Sequence, residues 1–340
     1  MAIRLLISGC GGAGFNVAEV AAKDGRGEIV GLVDPSERRL EMLSGIYPGA
    51  VTGSSLEKVL EKAKPDAVVV AGPDHLHADQ SVFALEQGRH VLIEKPMATT
   101  VADAVRIREA EAKSGCVVMA DHTKRYEYPW RDTSIMATSG ELGDIFMLTG
   151  DYVSDMWRSR PDGKRRENWR ADPVNPQNIL MGGGCHPIDL MLWTAGSKVL
   201  DVYCCANKMS APDFPDDDCY IMTIRFESGV MGKVWVSSGV AGGGLGSGML
   251  GAYGTEASVA KGQVHRRRGD TASEPLVDTS SERLIGKLGW GKAVPEFFDT
   301  LDGKMANPIP SLDGARVVSV CEAGLTSAKT GKPQVPEWFE

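Results

Sequence analysis

Three short stretches of this chain put reactive side chain types where the pattern around them is otherwise apolar. "HVLIEKPMATT" runs hydrophobic through Ile93 and then presents Glu94, Lys95 and Pro96. A lysine at a strand end can hydrogen-bond a ligand oxygen and steady negative charge that develops on it. Pro96 lacks a backbone donor and restricts Lys95. "MGGGCHPIDLMLW" carries His186 and Asp189 three residues apart at an expected helix start, so the two share a face. Imidazole is suited to moving a proton near neutrality. Pro187 fits a first helical turn, and Gly182–Gly184 are expected to let the chain approach a ligand closely. "GCGGAG" gives Gly9, Gly11, Gly12, Ala13 and Gly14 in a G-x-G-x-x-G pattern. Bland readings of the same residues are a surface Lys–Glu pair, a histidine that caps its helix or pairs with Asp189, and a tight structural turn.

Context separates these readings for the glycine motif. It lies between an apolar strand at 3–8 and a helical pattern at 13–23, and "EIVGLVD" ends at Asp34, 20 residues beyond Gly14. That arrangement lets the backbone approach a pyrophosphate at a helix N-terminus, with the acidic side chain on the ribose hydroxyls. Asp34 would also repel a 2′-phosphate, which favours NAD over NADP; Arg38 and Arg39 lie close by and work against that preference.

The positioning elements follow from periodicity. Apolar strands alternate with helical stretches over the first 120 or so residues, the pattern of a doubly wound parallel sheet. Beyond a helix near 126–138, strand-like segments at 145–153, 199–208, 219–226 and 230–238 alternate apolar with polar, as an antiparallel sheet with one covered face does. The expected organisation is α/β plus α+β: a Rossmann domain at 1–122, then a substrate-binding and oligomerisation domain at 123–340. The helix at 312–329 would pack back on the first domain. The polar, aromatic segment 154–180 reads as a substrate lid or, equally, a subunit contact. Trp157 and Trp169 there could stack on a sugar, and Arg158, Arg170, Asn175 and Asn178 could bind hydroxyls or a carboxylate.

A net charge of −8 argues against nucleic acid as the main partner. Seven cysteines without a Cys-x-x-Cys pair fit reduced thiols in the cytoplasm. No apolar run reaches the roughly 20 residues of a membrane span. No metal is implied, since Asp, His and Cys do not cluster with ligand spacing.

"GCGGAG", "AGPDHLHADQSVFALEQGRHVLIEKPMA", "GELGDI", "GGGCHPIDL" and "AYGTEASV" occur in an order that resembles the Gfo/Idh/MocA family of nicotinamide-dependent oxidoreductases over nearly the whole chain. The resemblance implies oxidation or reduction at a carbon of a sugar, cyclitol or related polyol, and a homodimer or homotetramer packed through the second sheet. It puts Lys95 near the nicotinamide and the reacting hydroxyl, and makes His186 the general acid/base. It places Pro73, Asp74, His77 and Glu94 near the cofactor. Lys124, Arg125 and Tyr126 fall near substrate where the chain enters the second domain, and Asp189 joins the substrate set. One departure stands out: many members carry an aspartate four residues before the histidine, and here that residue is Gly182. Asp172 or Asp189 could replace it. Alternatives to a dehydrogenase are an NAD-retaining glycosidase that oxidises transiently, and a non-catalytic nicotinamide sensor.

Overall fold

The computed structural model describes residues 2–155, 169–210, 214–241, 246, 248–267, 273–279 and 289–340. The chain forms two compact units, Met1–Tyr126 with Glu282–Ala315, and Glu127–Ser281 with Arg316–Glu340.

In the first unit, strands β1 (Ile3–Ser8), β2 (Gly27–Val33), β3 (Val51–Gly53), β4 (Ala67–Val70), β5 (His90–Glu94) and β6 (Val118–Asp121) form a parallel sheet in the order β3-β2-β1-β4-β5-β6. The crossovers are α1 (Gly12–Asp24), α2 (Glu37–Ile46), α3 (Leu56–Ala63), α4 (His77–Glu86) and α5 (Val101–Ser114). Every residue of β4 is buried, as are the last four of β5, because helices cover both faces of the sheet. Local signals end the helices. The Thr100 hydroxyl accepts from the Asp103 amide at the start of α5, and Gly115 closes it with φ of 67°.

The chain returns to this unit with α8 (Trp290–Leu301), which packs on α1. Arg26 ties the two: its guanidinium lies 2.6 Å from Asp299 and 5.3 Å from the centroid of the Phe298 ring. Most of the long last helix, α9 (Ser311–Thr330), counts with the second unit.

In the second unit, α6 (Trp130–Thr138) precedes β7 (Ile145–Val153), and α7 (Cys185–Ala195) precedes β8 (Val199–Asn207), β9 (Cys219–Phe226) and β10 (Met231–Ser237). Shorter strands follow: β11 (Gly251–Gly254), β12 (Ala257–Ala260), β13 (Gln263–Arg266) and β14 (Glu274–Pro275). Together they make a sheet in the order β14-β13-β12-β11-β7-β10-β9-β8. All neighbours are antiparallel except β7 and β10. The alternation read in the sequence is real: along β9, buried residues 220, 222, 224 and 226 are separated by exposed ones. The buried face carries α7. A Cβ at Gly150 would lie 2.6 Å from Pro187 and 3.0 Å from the Met191 methyl, so the helix can sit this close to β7 only over a glycine. Among the described residues, no helix is long and apolar enough to cross a membrane.

Candidate active site

The glycine motif of the first unit forms a cradle at the carboxyl end of β1. Gly9 adopts φ of 98°, open to glycine at no steric cost, and a Cβ there would strike the Ala71–Gly72 backbone at 2.5 Å. A Cβ at Gly14 would lie 2.0 Å from the Gly9 carbonyl oxygen, so this glycine sets how closely α1 packs. Gly11 and Gly12 face open space, and no side chain caps α1. Ala13 follows inside its first turn. Asp34 is buried at the end of β2, where one carboxylate oxygen accepts from the Cys10 amide at 2.9 Å and the other from the Ser36 amide at 2.9 Å. Arg39 approaches it at 3.6 Å from the exposed side. Burial, and then the Asp34 charge, push the Cys10 thiol up to about 12, so it stays protonated and is no nucleophile. An uncapped helix N-terminus, two open glycines and a carboxylate at the next strand end fit a dinucleotide.

The loops after β4 and β5 are tied together. Pro73 leads into a short helical turn, Asp74–Leu76, with Asp74 buried. The His77 ring lies between two carbonyl oxygens, 2.8 Å from Pro96 and 3.0 Å from Gly72. His77 thus holds the segment that follows Lys95. The Lys95–Pro96 peptide is cis. Glu94 accepts from the Trp290 indole at 2.9 Å and from the Lys95 amide at 3.2 Å.

Next to Glu94 in the strand register is Asp121, the last residue of β6 and only 1% exposed. Burial first, and the neighbouring Glu94 second, hold its carboxyl well above the usual carboxylate range; Trp290 and Lys95 pull the other way less strongly. Tyr126 donates to Glu296 at 2.8 Å, and burial followed by Glu296 raises its phenol. Buried Arg125 pairs with Asp313 at 2.8 Å.

In the second unit His186 is buried on α7, and Asp189 is fully buried one turn on. His186 lies in the first turn of α7, the helix start its sequence suggests. A π-helical turn, Leu180–Gly184, runs directly into α7. A wide turn just ahead of Pro187 suits a residue that has no N–H to give to the preceding turn. The glycine triplet does not admit a ligand; all three residues are buried against protein. Added Cβ atoms would meet Gln177 at 2.3 Å from Gly182, the Tyr152 ring at 2.5 Å from Gly183, and Val236 at 2.8 Å from Gly184. Tyr152 in turn stacks on the His186 ring, with centroids 5.8 Å apart and planes at 26°.

Asn178 is committed to the same turn. Its carbonyl accepts from the Leu180 and Met181 amides at 2.9 and 3.1 Å, and its amide donates to Asp216 at 2.6 Å and the Tyr220 hydroxyl at 2.8 Å. Four bonds use the full capacity of the side chain. Asp172 is exposed and accepts from the Val174 and Asn175 amides, closing its own loop. Trp169 lies under the Arg170 guanidinium at 4.6 Å. Trp157 and Arg158 are outside the described residues. Among the described residues, no three His, Cys, Asp or Glu side chains are grouped to hold a metal ion.

Residues 3–122 match the description "Oxidoreductase family, NAD-binding Rossmann fold", and residues 130–260 match the "GFO/IDH/MocA C-terminal domain". The chain belongs to the Gfo/Idh/MocA family. One family relative, inositol 2-dehydrogenase 2 of Saccharopolyspora erythraea, is 26% identical over 235 residues, 68% of this chain and 65% of that protein. A 1-carboxy-3-chloro-3,4-dihydroxycyclohexa-1,5-diene dehydrogenase of Comamonas testosteroni is 25% identical over 239 residues, 69% of this chain and 58% of that protein. The NADP(+)-dependent scyllo-inositol 2-dehydrogenase of Bacillus subtilis is 23% identical, over 82% of this chain and 73% of its own. The chain spans 42% to 65% of four curated relatives that it matches. The WlbA dehydrogenase of Bordetella pertussis, solved with NADH and UDP-GlcNAcA, superposes over the whole of both chains with a TM-score of 0.82 at 22% identity. At that identity the likeness establishes the fold.

Asp121, Trp290, Tyr152 and Gln177 are absent from the sequence-based site. Asp121 had the same signal as Glu94, a lone acid ending an apolar strand. The other three had none, because Trp290 meets Glu94, Tyr152 meets His186 and Gln177 meets Gly182 through packing. The Asp121 carboxyl carries a linked expectation. Its pKa is raised on folding, so between the unfolded value, about 3.9, and the folded one the native state holds the extra proton and stability falls as pH rises. Asp121→Asn removes that loss. Its melting temperature, followed by calorimetry, should match the wild type near about pH 4 and exceed it increasingly toward about pH 8. A constant offset across that range would show that Asp121 ionises in the folded protein as it does unfolded.

Proposed function

We propose that the chain is an NAD-dependent dehydrogenase that moves hydride between the nicotinamide and a hydroxyl-bearing or carbonyl carbon of a sugar, cyclitol or related polyol. The observation that carries this reading is Lys95. It stands at the carboxyl end of β5, on the same edge of the parallel sheet as the glycine cradle and Asp34. Ligands of open α/β sheets bind at that edge. The names of relatives support the substrate class, since several are inositol dehydrogenases.

When bound, the nicotinamide accepts or returns the hydride. Lys95 hydrogen-bonds the substrate oxygen and steadies its negative charge as the hydroxyl becomes a carbonyl. His186 takes the hydroxyl proton, and returns it in the reverse direction. Pro73, Asp74, His77 and Glu94 shape the cofactor side; Arg125 and Tyr126 belong to the substrate set by family resemblance, and Trp169, Arg170 and Asp189 by the residue types of their segments. Purified protein with NAD⁺ and a panel of inositols, aldoses, sugar acids and glycosides tests this directly. NADH formation with one polyol is expected, and His186→Asn should lower its kcat by about 100-fold or more with the Kd for NAD⁺ unchanged. Glycoside cleavage without net NADH would assign transient oxidation instead. Silence toward every compound despite tight NAD binding would favour a sensor.

Cofactor choice is proposed to rest on Asp34, whose charge opposes a 2′-phosphate, with Arg39 beside it as the countervailing group. Asp34→Ser should shift the kcat/KM ratio for NAD⁺ over NADP⁺ by about 10-fold or more toward NADP⁺. An unchanged ratio would remove Asp34 from cofactor selection.

The second sheet supports a homodimer or homotetramer. Tyr203, Ile221 and Met231 project from its uncovered face at 42%, 55% and 55% exposure, apolar groups that a second copy would cover. Light scattering on the eluting protein should give a mass of two or four chains; a monomer at micromolar concentration would reject this assembly. The free thiols of all seven cysteines support a reducing, cytoplasmic setting.

A further inference from the structure

Position 182 lies one turn ahead of His186, and side chains on a helix lean back toward the preceding turn. A side chain at 186 therefore leans toward the glycine triplet. Tyr152 marks that place: its ring fills the Cβ direction of Gly183 and stacks on His186. Gln177 fills the neighbouring site. A Cβ on Gly182 would be 2.3 Å from the Gln177 amide carbon and amide nitrogen, and 2.7 Å from Cγ. The carboxamide itself, as well as its stem, thus takes the volume of a side chain at 182.

Gln177 is only 5% exposed, and a buried amide has to be hydrogen-bonded within the protein. Methionine or leucine would fill the same space without that demand. The loop is also built to hold the residue in place. The Gln177 backbone amide donates to the Arg170 carbonyl at 2.9 Å, and adjacent Asn178 is clamped by four hydrogen bonds.

We propose that Gln177 is a positioning residue for His186. Its carboxamide, brought in from the loop, takes the role of a polar side chain at 182 and fixes the orientation of the imidazole, with Tyr152 packing the ring from the adjacent site. This rests on His186 as the acid/base group. A hydrogen-bonding head at this place can hold a ring that gains and loses a proton in each cycle.

The test separates the amide from its volume. Gln177→Met keeps the volume and loses the amide; Gln177→Glu keeps a hydrogen-bonding head of the same shape. Protein labelled at histidine Cε1 contains six histidines, and His186→Asn identifies the His186 resonance by its loss. Gln177→Met should move that resonance and lower kcat about 10-fold, measured with NAD⁺ and the fastest polyol of the panel, with KM for NAD⁺ within about twofold. Gln177→Glu should retain kcat within about threefold. Should Gln177→Met fail to fold, Gln177→Asn, which withdraws the amide by one methylene, should give the same loss. Wild-type kcat and an unmoved resonance in Gln177→Met would overturn the proposal, as would equal losses in the Met and Glu variants. If His186→Asn instead keeps full turnover, the acid/base assignment fails, and the resonance still reports whether Gln177 orients the ring.

Discussion

A parallel sheet covered by helices on both faces has no room for a polar side chain along its strands. Charge and hydrogen-bonding groups can leave it only at strand ends, and most of what the first unit offers to chemistry follows from that. Asp34 ends β2, Glu94 ends β5 with Lys95 just beyond it, and Asp121 ends β6. The glycine cradle lies at the end of β1, where the backbone turns into α1. Crowding at one edge has an electrostatic consequence. Asp121 stands beside Glu94 in register, and burial first and that neighbouring acid second push its carboxyl up.

The second unit meets the opposite problem, since it buries a helix that must carry a polar pair. α7 lies over β7, with Gly150 permitting the close approach. His186 and Asp189 are consequently surrounded by protein rather than water. The glycine triplet ahead of them gives up its own side chain volume to Gln177, Tyr152 and Val236. A π-helical turn accommodates the shift in register that this packing and Pro187 require. One face of the imidazole is thus packed by a strand, where Tyr152 stacks on it.

Much of this was legible beforehand. The βα alternation, the glycine spacing and Asp34 specify a Rossmann unit because short-range periodicity reports burial directly. The lone charges after "HVLI" and within "CHPIDLMLW" mark Lys95 and His186 because a polar residue on an apolar element needs a reason. Asn178 shows the limit of such reasoning. As a polar residue in a polar segment it read as a substrate contact, whereas its amide is wholly used to hold the turn before α7.

The sequence by itself determined the class of each unit, the cradle, and which elements present Lys95 and His186. These depend on residues close together in the chain. Only the tertiary structure decided that α8 returns to the first unit, that Trp290 binds Glu94, and that Gly182–Gly184 are packing surfaces against protein instead of a close approach to a ligand. Each of those outcomes depends on which side chain from elsewhere fills a particular volume. Local periodicity carries no information about that, because it records whether a residue is buried and not against what.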